Sequence, residues 1–387
     1  MKKKVAILGS TGSIGRNLIN IIKKDKHNFE IILLTTNQNY QELFKQIKFF
    51  KVKNIIITNK KSFIKLKKKK FSHKVNIFND FLSFNKIFKS KIDYVMSAIS
   101  GLEGLYPTLN IIKHTRLIAI ANKEAIICGW NILEKELKKN KTRFIPVDSE
   151  HFSLHYALRN NLIENIENIY LTASGGPFLN TPLHKLDNIK LKDTLNHPNW
   201  SMGKKISVDS ATLMNKVFEI IEAKKIFNIS YKKINILIHP KSYVHALLKF
   251  NDGMIKIIAH DTNMTIPIHN TLYNDMKKSL ITKKIDVKKL SNLNFEAVNY
   301  KKFPLAKIIS KLYDKDSLYE TVIVATNDEL VNQYLNKKIK FIDLIYKIYK
   351  FINLKEFIKY KSIKPKKIET IEKLNRYVRF KIRKLSV

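Results

Sequence analysis

The chain alternates short apolar runs with stretches whose apolar residues recur every three to four positions. Residues 5–8 (VAIL) read as a buried strand, after which Ile14, Leu18, Ile21 and Ile22 share one helix face. Further apolar strands are predicted at 29–34, 54–58, 94–98, 117–121 and 144–147, with helix-like segments between them. Strands alternating with helices predict a parallel, doubly wound, Rossmann-like α/β domain over residues 1–147. The pattern then becomes α+β over residues 148–275. There 167–178 (ENIYLTASGGPF) reads as a strand ending in a Gly-Gly-Pro turn, and 235–260 as two strands joined at Asn251-Asp252-Gly253. Residues 276–303 read as a linker. From Pro304 to residue 387 the periodicity is helical, with Lys outside and Ile, Leu and Tyr inside.

At 387 residues the chain is long for one core, and 44 % hydrophobic content suffices for two or three. No apolar run has the length of a membrane span, and the first strand starts too near Met1 to leave room for a leader peptide. The lone Cys128 has no nucleophile context and reads as a buried residue of a reducing compartment. A formal charge of +40 invites a nucleic-acid reading. The excess, however, is Lys scattered along the whole chain, as in the run 65–70, rather than Arg gathered on one face. It reads as a solvated surface, with neither nucleic acid nor membrane as partner.

The heptapeptide 9–15 (GSTGSIG), between a strand and a helix, places backbone N–H groups and a helix N-terminus where a pyrophosphate can sit. No acid follows the second strand to take the ribose hydroxyls of NAD; Thr36, Asn37, Gln38 and Asn39 stand there instead, which leans to NADP. Asp148-Ser149-Glu150 ends a strand at the sheet's carboxyl edge. Its carboxylates can meet one hard cation, or its serine can cap the next helix. The span 197–222 joins His197, Trp200 and Gly203 on a loop to Ser210 at a predicted helix start, with Asn215, Lys216 and Glu219 on one helix face. Such a face can grip phosphate and a cation together. Ser174 and Ser210 offer hydroxyls to phosphate, and Trp200 can close over a ligand. His151, His239 and His245 read as structural.

The motifs GSTGSIG, ANKEAIICG (121–129), PVDSEH (146–151), TASGGPF (172–178), HPNWSMGKKISVDSATLMNK (197–216) and IHPKS (238–242) together resemble the 1-deoxy-D-xylulose 5-phosphate reductoisomerases. The resemblance runs from Gly9 to Ser242, in the family's order. It implies a cytoplasmic homodimer (or a plastid protein, had a transit peptide been removed) that uses NADPH and one Mn²⁺ or Mg²⁺. The substrate would be 1-deoxy-D-xylulose 5-phosphate, rearranged and reduced to 2-C-methyl-D-erythritol 4-phosphate. It further implies that Thr11, Gly12, Ser13, Ile14, Asn39, Asn122, Glu124 and Gly203 touch NADPH, and that Asp148, Glu150 and Glu219 hold the metal. Ser174, Ser210, Asn215 and Lys216 would bind the phosphate end; Lys123, Ser149 and His197 would contact the substrate, under a lid carrying Trp200 and Met202. The implied catalytic set is Lys123, Asp148, Glu150, His197 and Glu219, with residues 148–275 the catalytic and dimerisation domain. Four departures stand out: Asn37-Gln38 replaces a Gly-Lys pair, Val217 follows Asn215-Lys216 where Gly is usual, Asn263-Met264-Thr265 replaces Asp-Met-Arg, and the segment between Leu158 and Ile169 is short.

Overall fold

A computed structural model describes residues 1–159, 163–200 and 202–386, so the short segment after Leu158 and the Ser201 of the lid motif lie partly outside the described residues. The chain forms two compact units, one of residues 1–125, 132–148 and 264–280, the other of 126–131, 149–263 and 281–387.

The first unit holds β1 (Lys3–Leu8), α1 (Ser13–Lys24), β2 (Phe29–Thr36), β3 (Asn54–Ile57), β4 (Asn76–Phe78), β5 (Ile92–Ser97), β6 (Thr115–Ile120), the ends of α2 (Lys123–Lys139) and β7 (Arg143–Pro146). Its seven strands lie in the order β4-β3-β2-β1-β5-β6-β7, and every pair is parallel. Val5 to Leu8 are wholly buried, as expected where helices cover both faces of a parallel sheet. The strand order reverses between β1 and β5, which opens a ligand crevice at the carboxyl ends of those two strands. The helix Thr265–Leu272 belongs to this unit: Thr271 bonds Tyr94 hydroxyl to hydroxyl at 2.9 Å, and Thr265 donates to Asn17 at 2.8 Å. β4 goes beyond the sequence expectation.

The second unit contains α3 (Ser149–Ala157), β8 (Ile166–Ala173), α4 (Lys204–Ala211), α5 (Met214–Phe227), β9 (Ile234–Ile238), β10 (Val244–Phe250), β11 (Ile255–Ala259) and β12 (Glu296–Ala297). The helices α6 (Tyr319–Leu335), α7 (Phe341–Ile352) and α8 (Ile368–Ser386) complete it. Its sheet runs β11-β10-β8-β9-β12, with β8 and β9 parallel and the other pairs antiparallel. The two strands expected over 235–260 are three. Ser242 takes a left-handed φ of 51° and its N–H bonds the carbonyl of His239, so the chain leaves β9 before β10 begins. Ala173, Leu213, Ile238, Val298, Phe303 and Ala306 form one buried cluster beneath these strands. Among the described residues no helix is long and apolar enough to cross a membrane.

Candidate active site

In the first unit the Gly-rich turn sits at the crevice. Gly9 has φ +83°, and a Cβ there would lie 2.6 Å from the Ala98 carbonyl oxygen, so only glycine lets the turn pass so close to the end of β5. Gly12 starts α1 with no side-chain cap and no acid in its first turn, leaving the helix's positive end to an anion. Gly12 and Ser13 are exposed, Thr11 and Ile14 half-buried, and Thr11 meets Thr36 hydroxyl to hydroxyl at 2.6 Å. Asn37 and Gln38 are exposed just beyond β2, while the Asn39 carboxamide accepts from the Glu42 N–H and caps the following helix. Asn122 and Glu124 are buried and hold the loop after β5. The Asn122 amide donates to the carbonyls of Ile99 and Gly101 and its oxygen caps α2, while Glu124 accepts from the Gly101 N–H at 3.3 Å. Lys123 makes an ion pair with Asp148.

Two clusters form in the second unit. In the first, the Nε2 of His197 lies 3.0 Å from the Ser174 hydroxyl and 3.1 Å from that of Ser210. Its Nδ1 accepts from the backbone N–H groups of Asn199 and Trp200 at 3.2 and 3.1 Å. Nδ1 is therefore the bare nitrogen and Nε2 carries the proton toward the hydroxyls. Burial pulls the pKa of His197 down to about 4, so the ring is neutral at physiological pH. Gly176, with φ +66°, brings the Ser174 turn against Ser210: a Cβ there would lie 2.9 Å from the Ser210 carbonyl. Ser210 does not start a helix. It sits in the last turn of α4, and Leu213, at φ 61°, bends the chain before α5 begins. A helix C-terminus carries negative partial charge, so α4 lends Ser210 no dipole attraction for an anion, as a helix start would have done.

The second cluster gathers on α5. Lys216 is only 4 % exposed and donates to a Glu150 carboxylate oxygen at 2.8 Å and to Glu219, one turn along the same helix. Asn215 also donates to Glu219, and Ser149 donates to Glu150 at 2.6 Å. Burial alone would lower the pKa of Lys216, but the two carboxylates outweigh it and hold the ammonium protonated. Oxygens of Glu150 and Glu219 lie within 4.8 Å of each other, a spacing that one hard cation can bridge. Asn215 and Lys216 thus lie with the carboxylates. Gly203 starts α4 with open space around its Cα.

Sequence reading missed two supports of the lid loop. Asn199 donates to the Pro240 carbonyl at 2.5 Å and to Ser242 at 3.0 Å, tying the loop to the 238–242 motif. His245, read as structural, lies edge-to-face with Trp200 at 6.1 Å and stacks on His260 at 3.7 Å. The only prior signal for the first was the company of HPNW and IHPKS among the motifs.

Family models cover most of the chain. That of 1-deoxy-D-xylulose 5-phosphate reductoisomerase matches residues 5–129, and two models of its C-terminal domains match 144–227 and 261–381. The reductoisomerase of Pelagibacter ubique (strain HTCC1062) is 58 % identical over the full length of both chains. That of Clostridium novyi (strain NT) is 36 % identical, over 89 % of this chain and 90 % of its own. The solved reductoisomerase of Zymomonas mobilis in complex with NADPH superposes with a TM-score of 0.89 at 29 % identity, covering 100 % of this chain and 99 % of that one. A second solved reductoisomerase, in complex with NADPH, fosmidomycin and magnesium, superposes with a TM-score of 0.89 at 28 % identity, covering 99 % and 97 %. The Gly-rich crevice, the neutral His197 between two serines and the carboxylates around Lys216 thus stand in a member of the 1-deoxy-D-xylulose 5-phosphate reductoisomerase family.

Proposed function

We infer that this chain converts 1-deoxy-D-xylulose 5-phosphate to 2-C-methyl-D-erythritol 4-phosphate, using NADPH and one divalent cation. The observation that carries the reading is full-length identity of 58 % to a reductoisomerase, joined to intact chemistry at the quoted motifs. A bound Mg²⁺ or Mn²⁺ supplies Lewis-acid polarisation of substrate oxygens, and NADPH supplies the hydride. Asp148, Glu150 and Glu219 are assigned as the metal ligands. Support comes from the all-oxygen donor set, from the way Glu150 and Glu219 already share a cation in Lys216, and from Asp148 standing two residues before Glu150. The uncapped start of α1 with Thr11, Gly12, Ser13 and Ile14 is assigned to the dinucleotide phosphates, and exposed Asn37 and Gln38 to its adenosine end.

His197 donates through Nε2 to the seryl hydroxyls, which turns Ser174 and Ser210 into a prepared pair for the phosphate end of the substrate. Lys123, held by Asp148, orients toward a substrate oxygen, and Trp200 closes the lid. Residues 148–275 are assigned as the catalytic region. Homodimerisation in the cytoplasm is part of the same reading. The edge strand β11 supports a dimer, since Ile255 and Ile257 lie exposed along it, with exposed Met254 just before it, and an uncovered apolar edge invites pairing. The experiment is NADPH oxidation with deoxyxylulose phosphate, with and without Mg²⁺ or Mn²⁺. Metal-independent oxidation, or none with this substrate, overturns the reading; sedimentation as a monomer overturns the dimer.

A further inference from the structure

Lys216 and Lys225, two of the buried lysines of helix α5, stand nine residues apart and do different work. Lys225 pairs with Asp316 at 2.8 Å and Glu320 at 3.4 Å, far along the helix from any proposed ligand. Lys216 instead lies between Glu150 and Glu219, the carboxylates assigned to the metal. Glu219 is 1 % exposed and Glu150 half-buried, and two carboxylates this close with one of them cut off from water call for a positive partner. An ammonium meets them by hydrogen bonds; a divalent ion would need ligand oxygens at about 2.0–2.6 Å. Nζ contacts Oε1 of Glu150 and Oε2 of Glu219, so a cation that bridges those two oxygens has to displace it.

We propose that Lys216 is an internal competitor for the divalent cation: its ammonium neutralises Glu150 and Glu219 in the metal-free protein and must swing out before the ion can bind. This rests on the assignment of Glu150 and Glu219 as ligands. The lysine stem has the freedom to leave, with four rotatable bonds and a compact charged end. The same helix tethers it, so the exchange is local and reversible. Binding of the ion is weakened by whatever the Lys216 contacts contribute, and in return the metal-free protein escapes the cost of buried, unpartnered charge.

The test measures Mn²⁺ affinity by titration in full-length wild-type, Lys216→Met, Glu219→Gln and Lys225→Met proteins, together with melting temperatures in chelator and in Mn²⁺. Lys216→Met is expected to bind Mn²⁺ about ten-fold tighter or better. It should melt lower than wild type in chelator and recover when Mn²⁺ is added. Lys225→Met should melt lower with or without the ion and keep wild-type affinity, the behaviour of a purely structural lysine. If Lys216→Met does not fold in chelator, the Mn²⁺ dependence of its melting temperature supplies the affinity. Unchanged or weaker Mn²⁺ binding by Lys216→Met, with Glu219→Gln clearly weakened, overturns the competition alone. Equal Mn²⁺ binding by wild type and Glu219→Gln, or none by wild type, overturns the ligand assignment and the competition with it.

Discussion

The backbone N–H of Trp200 donates to Nδ1 of His197 at 3.1 Å, while the opposite nitrogen of the same ring faces the hydroxyl of Ser210. One imidazole thus joins the lid loop to the proposed phosphate pocket. Replacing His197 by Ala removes both ends of that link, so the serines lose their donor and the loop its anchor. Steady-state kinetics should show kcat/KM falling by roughly 10²-fold, the scale of a misplaced substrate. NADPH binding, followed by fluorescence, should hardly change. An equal loss of NADPH affinity would contradict the link.

Acid should unfold this protein through its histidines. The pKa of His197 lies near 4 and that of His245 near 3, both chiefly through burial, and burial lowers that of His260 as well. A histidine whose folded pKa is depressed contributes its full stability above the unfolded value of about 6.5. That contribution fades as pH falls toward the folded pKa, because the unfolded chain takes up protons that the folded one refuses. Thermal melts should therefore fall steadily from pH 7 to pH 4. The variant His245→Phe, which keeps a ring against His260 and Trp200, should show a shallower fall; an unchanged slope would assign the acid sensitivity elsewhere.

Two glycines with positive φ should respond differently to alanine. At Gly176 the added Cβ meets the backbone of Ser210 and Ala211 at 2.9–3.0 Å, whereas at Gly253 it meets nothing within 4 Å. Gly253→Ala should cost only the left-handed strain, about 1–2 kcal/mol. Gly176→Ala adds a backbone clash, so a loss of about 3 kcal/mol or more and a raised KM for substrate are expected. Denaturant melts with parallel kinetics settle the comparison, and equal losses would deny the close approach of the Ser174 turn to α4.

Glu219→Ala removes a proposed metal ligand from the buried end of α5. Turnover supported by Mg²⁺ or Mn²⁺ should drop by at least roughly 10³-fold, several kcal/mol of lost charge stabilisation. The far-UV circular dichroism should stay native, because Lys216 keeps Glu150 as a partner. Activity that survives this change at wild-type level would remove Glu219 from the chemistry.

Much of this architecture was legible in the chain. Runs such as VAIL declare buried parallel strands because both their faces are apolar, and the glycines of GSTGSIG mark a turn that side chains would block. The strand Asn76–Phe78 escaped because three residues carry no period; its place comes from pairing with β3. The break between α4 and α5 escaped for a related reason. Leucine has no liking for the left-handed region, so nothing local in ATLMN announces a bend. Nor does residue spacing say which partner a flexible lysine will choose. Lys216, expected at the phosphate end, lies in this structure beside the carboxylates, with Glu219 one turn away on the same helix.

That bend has a wider consequence. Leu213 is held in its left-handed twist by a side chain packed among Ala173, Ile238, Val298, Phe303 and Ala306. A strain of about 1–2 kcal/mol is outweighed by the roughly 2–5 kcal/mol that a buried leucine contributes. The angle between the helix bearing Ser210 and the helix bearing Glu219 is therefore dictated from behind, by an apolar cluster that includes none of the proposed site residues. Substitutions at Phe303 or Ile238 can shift Ser210 against Glu219 while both of those residues stay the same.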